Sequence, residues 1–264
     1  VLYWSVVEMD ADGGLQITGS HNPAEYNGIK ISMGGRSFYG SDIRALHERI
    51  GEEHFVSGKG ERSVEDVLDR YVRDVTGRFS LSRPVKMVLD CGNGTGAVVA
   101  VELLEALGAD VVPLYCTSDG TFPNHHPDPT VDQNLENLIA AVDESGAELG
   151  IALDGDADRL GAVDENGDVV RADLLLLLFG LDLLERKGSG QKLVFDVKCS
   201  QALPEVYEAA GGEPIMWKTG HSLMKEKMLE TRAPLGGELS GHLFFADDYY
   251  GFDDALYGAC RLVD

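Results

Sequence analysis

"VKMVLDCGNGTGAVVAVELLEALGADVVPLY", residues 85–115, is the stretch that sets the architecture. An apolar, β-branched run ends at Asp90 and passes through the glycine-rich turn CGNGTG. A helical pattern then begins at Ala97 and stops at Gly108, and a second strand-like run, DVVPLY, follows. The same order returns at KLVFD (192–196), VKCS, QALPEVYEAAGG and EPIMW (213–217), with Asp196 and Gly212 in the places of Asp90 and Gly108. Two such copies predict tandem, similar α/β domains with mixed, mainly parallel sheets flanked by helices. Sheets of this kind take ligands beyond the carboxyl ends of their strands.

Outside these units the first third has its own pattern: strands over 15–18 and 28–32, a helix over 41–50, a polar stretch, and a helix over 64–76. Boundaries near residue 66, and near 168 after the turn DENGD, divide the chain into 1–66, 67–168 and 169–264. The apolar run LLLLLFGLDLL (174–184) is too short to span a bilayer and carries Asp182, so it reads as a core helix. The opening VLYWSVVEMD lacks a starting Met and a basic segment, and reads as the middle of an element, as if the chain began inside a domain.

The 264 residues carry 45 acidic and 22 basic side chains, a formal charge of −23. Such a surface repels nucleic acid and anionic membranes, so neither is expected as a partner. A phosphorylated small molecule would have to be met by a local cluster of the few Lys and Arg. The cysteines, Cys91, Cys116, Cys199 and Cys260, are far apart with no CxxC or Cys/His spacing, which predicts buried, reduced thiols rather than zinc or a disulfide framework.

Two stretches carry chemistry. In ELGIALDGDADRLGAV, Asp154, Asp156 and Asp158 recur at steps of two after a buried-type strand. On an extended chain these would project to one side, and converging carboxylates need a cation; Mg²⁺ is the hard ion that suits them. An EF-hand is rejected because Arg159 stands where that loop requires glycine. A solvated acidic turn is the plain alternative, although Arg159 beside the triplet suits a phosphate. In GLQITGSHNPAEYNGIKIS (14–32), Gly19 and Asn22-Pro23 make a bend that exposes Ser20, and Lys30 on the next strand can reach back toward a phosphate. On these residues alone Ser20 is either a nucleophile or a turn residue. His21 is expected to point away from it and to hydrogen-bond within the loop. His125-His126 reads as structural, and the turn at Asn93 as tight rather than phosphate-binding.

TGSHNPAEYNGIKIS, DGDADR and GELSGHLFF (237–245), in that order, resemble the phosphoserine, metal and sugar-binding loops of the α-D-phosphohexomutases, closest to the bacterial phosphomannomutase/phosphoglucomutase branch. CGNGTG, FPNHHPDP, FDVKCS and MWKTGHS extend the likeness over nearly the whole chain. The resemblance implies reversible transfer of phosphate between the 1- and 6-positions of glucose or mannose phosphates, through a phosphoserine and a hexose 1,6-bisphosphate. It implies Ser20 as the phosphorylated residue and, with Asp154, Asp156 and Asp158, as a ligand of Mg²⁺. Lys30, Arg159 and His221 would surround the transferring phosphoryl group, with Lys198, Glu238, Ser240 and His242 binding substrate. It further implies glucose 1,6-bisphosphate as activator and a monomeric, cytoplasmic enzyme whose partner is a hexose phosphate.

Two departures stand out against that family. Its members have four domains, whereas here the first starts partway through and the fourth is absent, which implies a truncated chain. Ala157 replaces a frequent glycine in the metal loop. The alternatives are a mutase for an amino sugar phosphate, a non-catalytic sugar-phosphate-binding fragment, and a phosphatase with a serine intermediate.

Overall fold

The computed structural model describes residues 1–23, 25–34 and 36–264. Helix α1 (Leu2–Glu8) holds the opening residues and precedes β1 (Gly13–Ile17), β2 (Ile29–Met33), the short β3 (Arg36–Ser37) and α2 (Ser41–Gly51). The three strands form an antiparallel sheet in which Leu15 faces Ile31 and Gln16 faces Lys30. Alternation therefore puts Lys30 and Ser32 on one face and Leu15, Ile17, Ile29 and Met33 on the other. Helix α1 packs on the Lys30 side, so closely that a Cβ on Gly14 would lie 2.9 Å from Val6. The linking helix α3 (Leu68–Thr76) begins later than its apolar pattern, with Asp66 Oδ1 accepting from Leu68 N at 3.2 Å, and it buries Tyr71, Val72 and Val75.

The second unit contains β4 (Lys86–Asp90), α4 (Ala100–Leu107), β5 (Asp110–Leu114), α5 (Glu136–Ser145), β6 (Leu149–Leu153), β7 (Leu160–Asp164) and β8 (Val169–Val170). Its sheet runs β5-β4-β6-β7-β8, parallel through the first three strands and antiparallel beyond. The third unit contains α6 (Ala172–Lys187), β9 (Lys192–Asp196), α7 (Ala202–Ala209), β10 (Glu213–Trp217), α8 (His221–Thr231), β11 (Leu235–Gly237), β12 (Leu243–Phe245) and α9 (Ala255–Val263). Its sheet runs β10-β9-β11-β12, with only β12 antiparallel.

The repetition read from the sequence has a structural counterpart at the two strand-ending aspartates. Asp90 closes β4 and Asp196 closes β9, both fully buried. Each supplies a carboxylate to otherwise unpaired loop groups. Asp90 Oδ1 accepts from Gly92 N at 2.8 Å while Oδ2 meets His125 Nε2 at 2.9 Å. Asp196 accepts from Leu239 N at 3.1 Å and from Thr219 Oγ1 at 2.8 Å. His125 is thus structural, and Gly92 and Asn93, both left-handed with φ of 52° and 58°, form the tight turn.

The run 174–184 lies in α6, which buries Leu175, Leu176, Leu177, Phe179 and Leu183. One apolar core continues from Tyr71 through α6 to Val263. Asp254 caps α9 by accepting from Leu256 N and Tyr257 N, and also takes the hydroxyls of Tyr71 (2.9 Å) and Tyr249 (2.8 Å). That single carboxylate ties α3 to the third unit. Among the described residues no helix is long and apolar enough to cross a membrane. Cys91 and Cys260 are buried, Cys116 and Cys199 half-buried, and all are free thiols.

Candidate active site

Three loops converge, one from each sheet: the segment joining β1 to β2, the segment joining β6 to β7, and the segment joining β11 to β12. In the β6–β7 loop the three aspartates do come together, with one oxygen from each within 4.8 Å of the others. The geometry that achieves this is not the extended one expected. Leu153 pairs with Leu160 across an antiparallel hairpin, and the chain between them turns, with Ala157 N donating to Asp154 O at 3.1 Å. Asp154 Oδ1 accepts from Asp158 N (3.0 Å) and Arg159 N (3.1 Å), folding the loop around its own first residue. Ala157 sits at φ 57°, a left-handed conformation in which glycine would be unstrained.

Ser20 lies directly above this loop, its hydroxyl donating to Asp154 Oδ2 at 3.0 Å. Its φ of 50° is left-handed, a strained state for a non-glycine residue. Thr18, missed in the sequence, holds this bend: its Oγ1 accepts from Ser20 N at 2.8 Å and donates to Asp156 Oδ2 at 2.9 Å. The strained bend also corrects the expectation for His21. Neighbouring side chains diverge on an extended chain, but here Ser20 Oγ and His21 Nδ1 are 3.1 Å apart. Burial, and then the nearby Arg159, hold the His21 pKa below its ordinary value, so the ring is neutral and free to accept.

Lys30 reaches from β2 to Asp156, 2.7 Å away, and also pairs with Asp158. Burial opposes its charge, but the two carboxylates outweigh that and raise its pKa, so Lys30 stays cationic. Asp154 responds in the opposite sense: burial, then Asp158 and Asp156, push it well above the usual carboxylate range. Asp156 is opposed by burial yet held low by Lys30. Among the described residues Asp156 Oδ1 and Asp158 Oδ1 are buried without a hydrogen-bond partner. A compact all-oxygen donor set with orphaned buried oxygens fits a hard divalent cation.

On the far side of Asp158 stands His242, buried, with Nδ1 3.6 Å from Asp158 Oδ1 and 3.2 Å from Asp253 Oδ2. Arg159 Nε donates to its Nε2 at 3.2 Å. Burial works against a charged ring, but Asp158 and Asp253 prevail and raise its pKa. Asp253 and Lys225 are the other residues that sequence reasoning missed. Asp253 is fully buried, accepts from Lys225 Nζ at 2.8 Å and lies 3.7 Å from His221 Nδ1. His221 stacks on His242 at 5.6 Å, and burial lowers its pKa to about 4.

Of the remaining candidates, Lys198 and Ser240 line a neighbouring cleft rather than the carboxylates, and Glu238 does not reach it. An opening of about 570 Å³ is lined by His21, Arg159, Arg171, Lys198 and Ser240, and it gathers several of the basic groups this acidic chain possesses. Glu238 is turned inward, with one oxygen accepting from Gly220 N. Burial raises its pKa. The β11–β12 loop is seated on the second unit by Leu160 N donating to Gly241 O at 3.0 Å.

The α/β units thus bring a serine, an aspartate triplet and a cationic cleft together at the ends of their strands. Family models described as phosphoglucomutase/phosphomannomutase α/β/α domains I, II and III match residues 1–57, 69–167 and 171–264 in that order. The chain is 47% identical over its full length to a phosphomannomutase/phosphoglucomutase of Pseudomonas aeruginosa, and 43% identical to a phosphoglucomutase of Neisseria meningitidis. A crystal structure of a phosphoglucomutase/phosphomannomutase family protein from Burkholderia thailandensis superposes with a TM-score of 0.93 at 47% identity, over 96% of this chain and 55% of that one. The chain belongs to the phosphoglucomutase/phosphomannomutase family, the α-D-phosphohexomutases. It spans 57% of the Pseudomonas relative's length and 58% of the Neisseria relative's.

Proposed function

We propose that the chain carries the reacting core of a phosphohexomutase, which moves phosphate reversibly between the 1- and 6-positions of glucose or mannose phosphates. The phosphoryl group passes through Ser20 and a hexose 1,6-bisphosphate, with that bisphosphate as activator. We read residues 1–66, 67–168 and 169–264 as the units supplying the serine, metal and sugar loops. The observation that supports this most is the 3.0 Å contact between Ser20 Oγ and Asp154, at the edge of a triplet of carboxylates whose oxygens lie within 4.8 Å of each other.

In this reading Asp154, Asp156, Asp158 and an oxygen on Ser20 would hold Mg²⁺, which would supply charge neutralisation at the phosphoryl group. Neutral His21 takes the Ser20 proton when Ser20 Oγ attacks a bisphosphate phosphorus and the sugar oxygen leaves. In reverse, a sugar hydroxyl attacks phosphoserine and gives up its proton to His21, its oxygen–phosphorus bond forms, and the Ser20 bond breaks as Ser20 Oγ takes that proton. Lys30 and Arg159 flank the charge that spreads over the equatorial oxygens, with His221 beside them. His242, paired with Asp158 and Asp253, is read with Lys198, Glu238 and Ser240 as the side of the site that takes the sugar. The enzyme is read as a monomer acting in the cytoplasm on hexose phosphates.

The test is intact mass before and after incubation with glucose 1,6-bisphosphate and Mg²⁺. One phosphoryl group should be gained by the native protein and none by Ser20→Ala. A gain that persists in Ser20→Ala would overturn the assigned nucleophile, and release of inorganic phosphate without 1-to-6 interconversion would indicate a phosphatase.

A further inference from the structure

We propose that Cys91 and Cys116 form an oxidisable dithiol, a modification site at which a peroxide converts the two thiols into a disulfide. Their sulfurs lie 2.9 Å apart, about 0.9 Å beyond the ~2.05 Å of a disulfide bond. The backbones that carry them are already locked side by side. Strands β4 and β5 pair in parallel with Asp90 opposite Leu114, and Cys91 N continues the ladder by donating to Leu114 O at 3.1 Å. Closure therefore asks for side-chain adjustment at two adjacent strand ends, not for rearrangement of the sheet.

The other two thiols have no such neighbour. Cys199 donates to Asp196 Oδ1 at 3.1 Å, and Cys260 is buried within α9 among apolar side chains. The paired thiols are also unequal. Cys116 is half-buried, and the S–H of Cys91 holds its thiol below the ordinary value against the effect of burial. Cys91 is fully buried and pushed up, first by its hydrogen bond to Cys116 and then by burial. Cys116, the more exposed of the two, is the thiol that meets the peroxide first, and Cys91 behind it is the thiol that resolves.

The step balances. Cys116 sulfur attacks one oxygen of hydrogen peroxide, the O–O bond breaks, and the departing hydroxide is protonated to water, leaving a sulfenic acid. Cys91 sulfur then attacks Cys116 sulfur and gives up its proton as the hydroxyl leaves in a second water. Two thiols are oxidised to one disulfide and one peroxide is reduced to two waters. The turn that starts at Cys91 bears on the acidic loop, with Thr95 N donating to Gly155 O at 2.9 Å. The bridge thus forms at the start of a turn that touches the acidic loop.

The full chain is treated with hydrogen peroxide, quenched with catalase, denatured, and alkylated with N-ethylmaleimide for intact mass and peptide mapping. Alkylatable thiols should fall from the four free cysteines to two, return with dithiothreitol, and yield a peptide linking residues 91 and 116. Cys116→Ser and Cys91→Ser should each lose that peptide, and the native protein's own map decides the matter if either variant folds poorly. The proposal is overturned if all four thiols stay reactive, if the bridge involves Cys199 or Cys260, or if Cys116 passes to sulfinic acid without linking.

Discussion

The α-carbon of Gly155 lies against the carbonyl oxygen of Ser20 so closely that a Cβ at 155 would sit 2.1 Å from it. On its other side Gly94 is equally constrained, since a Cβ there would lie 2.8 Å from Gly155 O. Three stretches of main chain are stacked with no room for a side chain between them, and this stacking sets the spacing between the serine and the carboxylates.

Gly155→Ala should therefore push the Ser20 loop off the acidic loop while leaving each sheet intact. A displacement of about 1 Å at a reacting centre costs about 100-fold in rate. Phosphorylation of Ser20 by glucose 1,6-bisphosphate, followed by mass spectrometry over time, should slow by that order while circular dichroism stays unchanged. Native-like phosphorylation in Gly155→Ala would show that the close approach is dispensable.

Asp156→Asn and Asp158→Asn each remove one charge from the triplet and leave Lys30 with a single carboxylate partner. Each should weaken Mg²⁺ binding, measured by calorimetry on the protein alone, by at least about tenfold. Chelation of the native protein should abolish phosphoryl uptake by Ser20. Unchanged Mg²⁺ affinity in both variants would move the cation elsewhere.

His221 sets a pH dependence. Its folded pKa of about 4 lies below its ordinary value near 6.5 because burial disfavours the charged ring. Between those values the unfolded chain binds a proton that the folded chain does not, so stability falls as pH drops through that window and is insensitive to His221 above it. With the side chain one-third exposed, the effect is about 1–2 kcal/mol after solvent screening. Urea midpoints at pH 4.5 and 7.5 should differ less in His221→Gln than in the native protein. Equal differences would mean that the ring is not shielded.

Asp253→Ala would strand Lys225, which is buried against that carboxylate with the ring of Tyr3 4.1 Å from its ammonium. Breaking a buried pair from one side costs about 3–5 kcal/mol. Chemical denaturation should report that loss, and the double variant Asp253→Ala/Lys225→Met should recover part of it. No recovery would place the cost in the histidines rather than in the lysine.

Much of this site could be read from the chain because its loops are local. The strand-ending aspartates, the aspartate triplet and Ser20 each announce themselves by a turn residue or a spacing beside a strand. What escaped was set by conformation or by distance in sequence. The left-handed φ of Ser20 turned His21 inward, and the turn at Ala157 gathered carboxylates that an extended chain would also have aligned. Thr18 could have been suspected, since a threonine two positions before a serine suits a side-chain turn. Asp253 could not, because Asp-Asp ahead of an apolar helix reads as a cap, and only Asp254 plays that part. Lys225, one helical turn beyond His221, gains meaning only when Asp253 arrives from another element.

No single sheet carries this site: the Ser20 hydroxyl, the acidic triplet and His242 ride on separate sheets that meet through main-chain contacts and shared carboxylates. Tilting the first sheet would lift Ser20 away from Asp154 with every strand still paired. The site is then a matter of posture, and a wedge lodged between Ser20 and Gly155 would part the serine from its carboxylates without unfolding the chain.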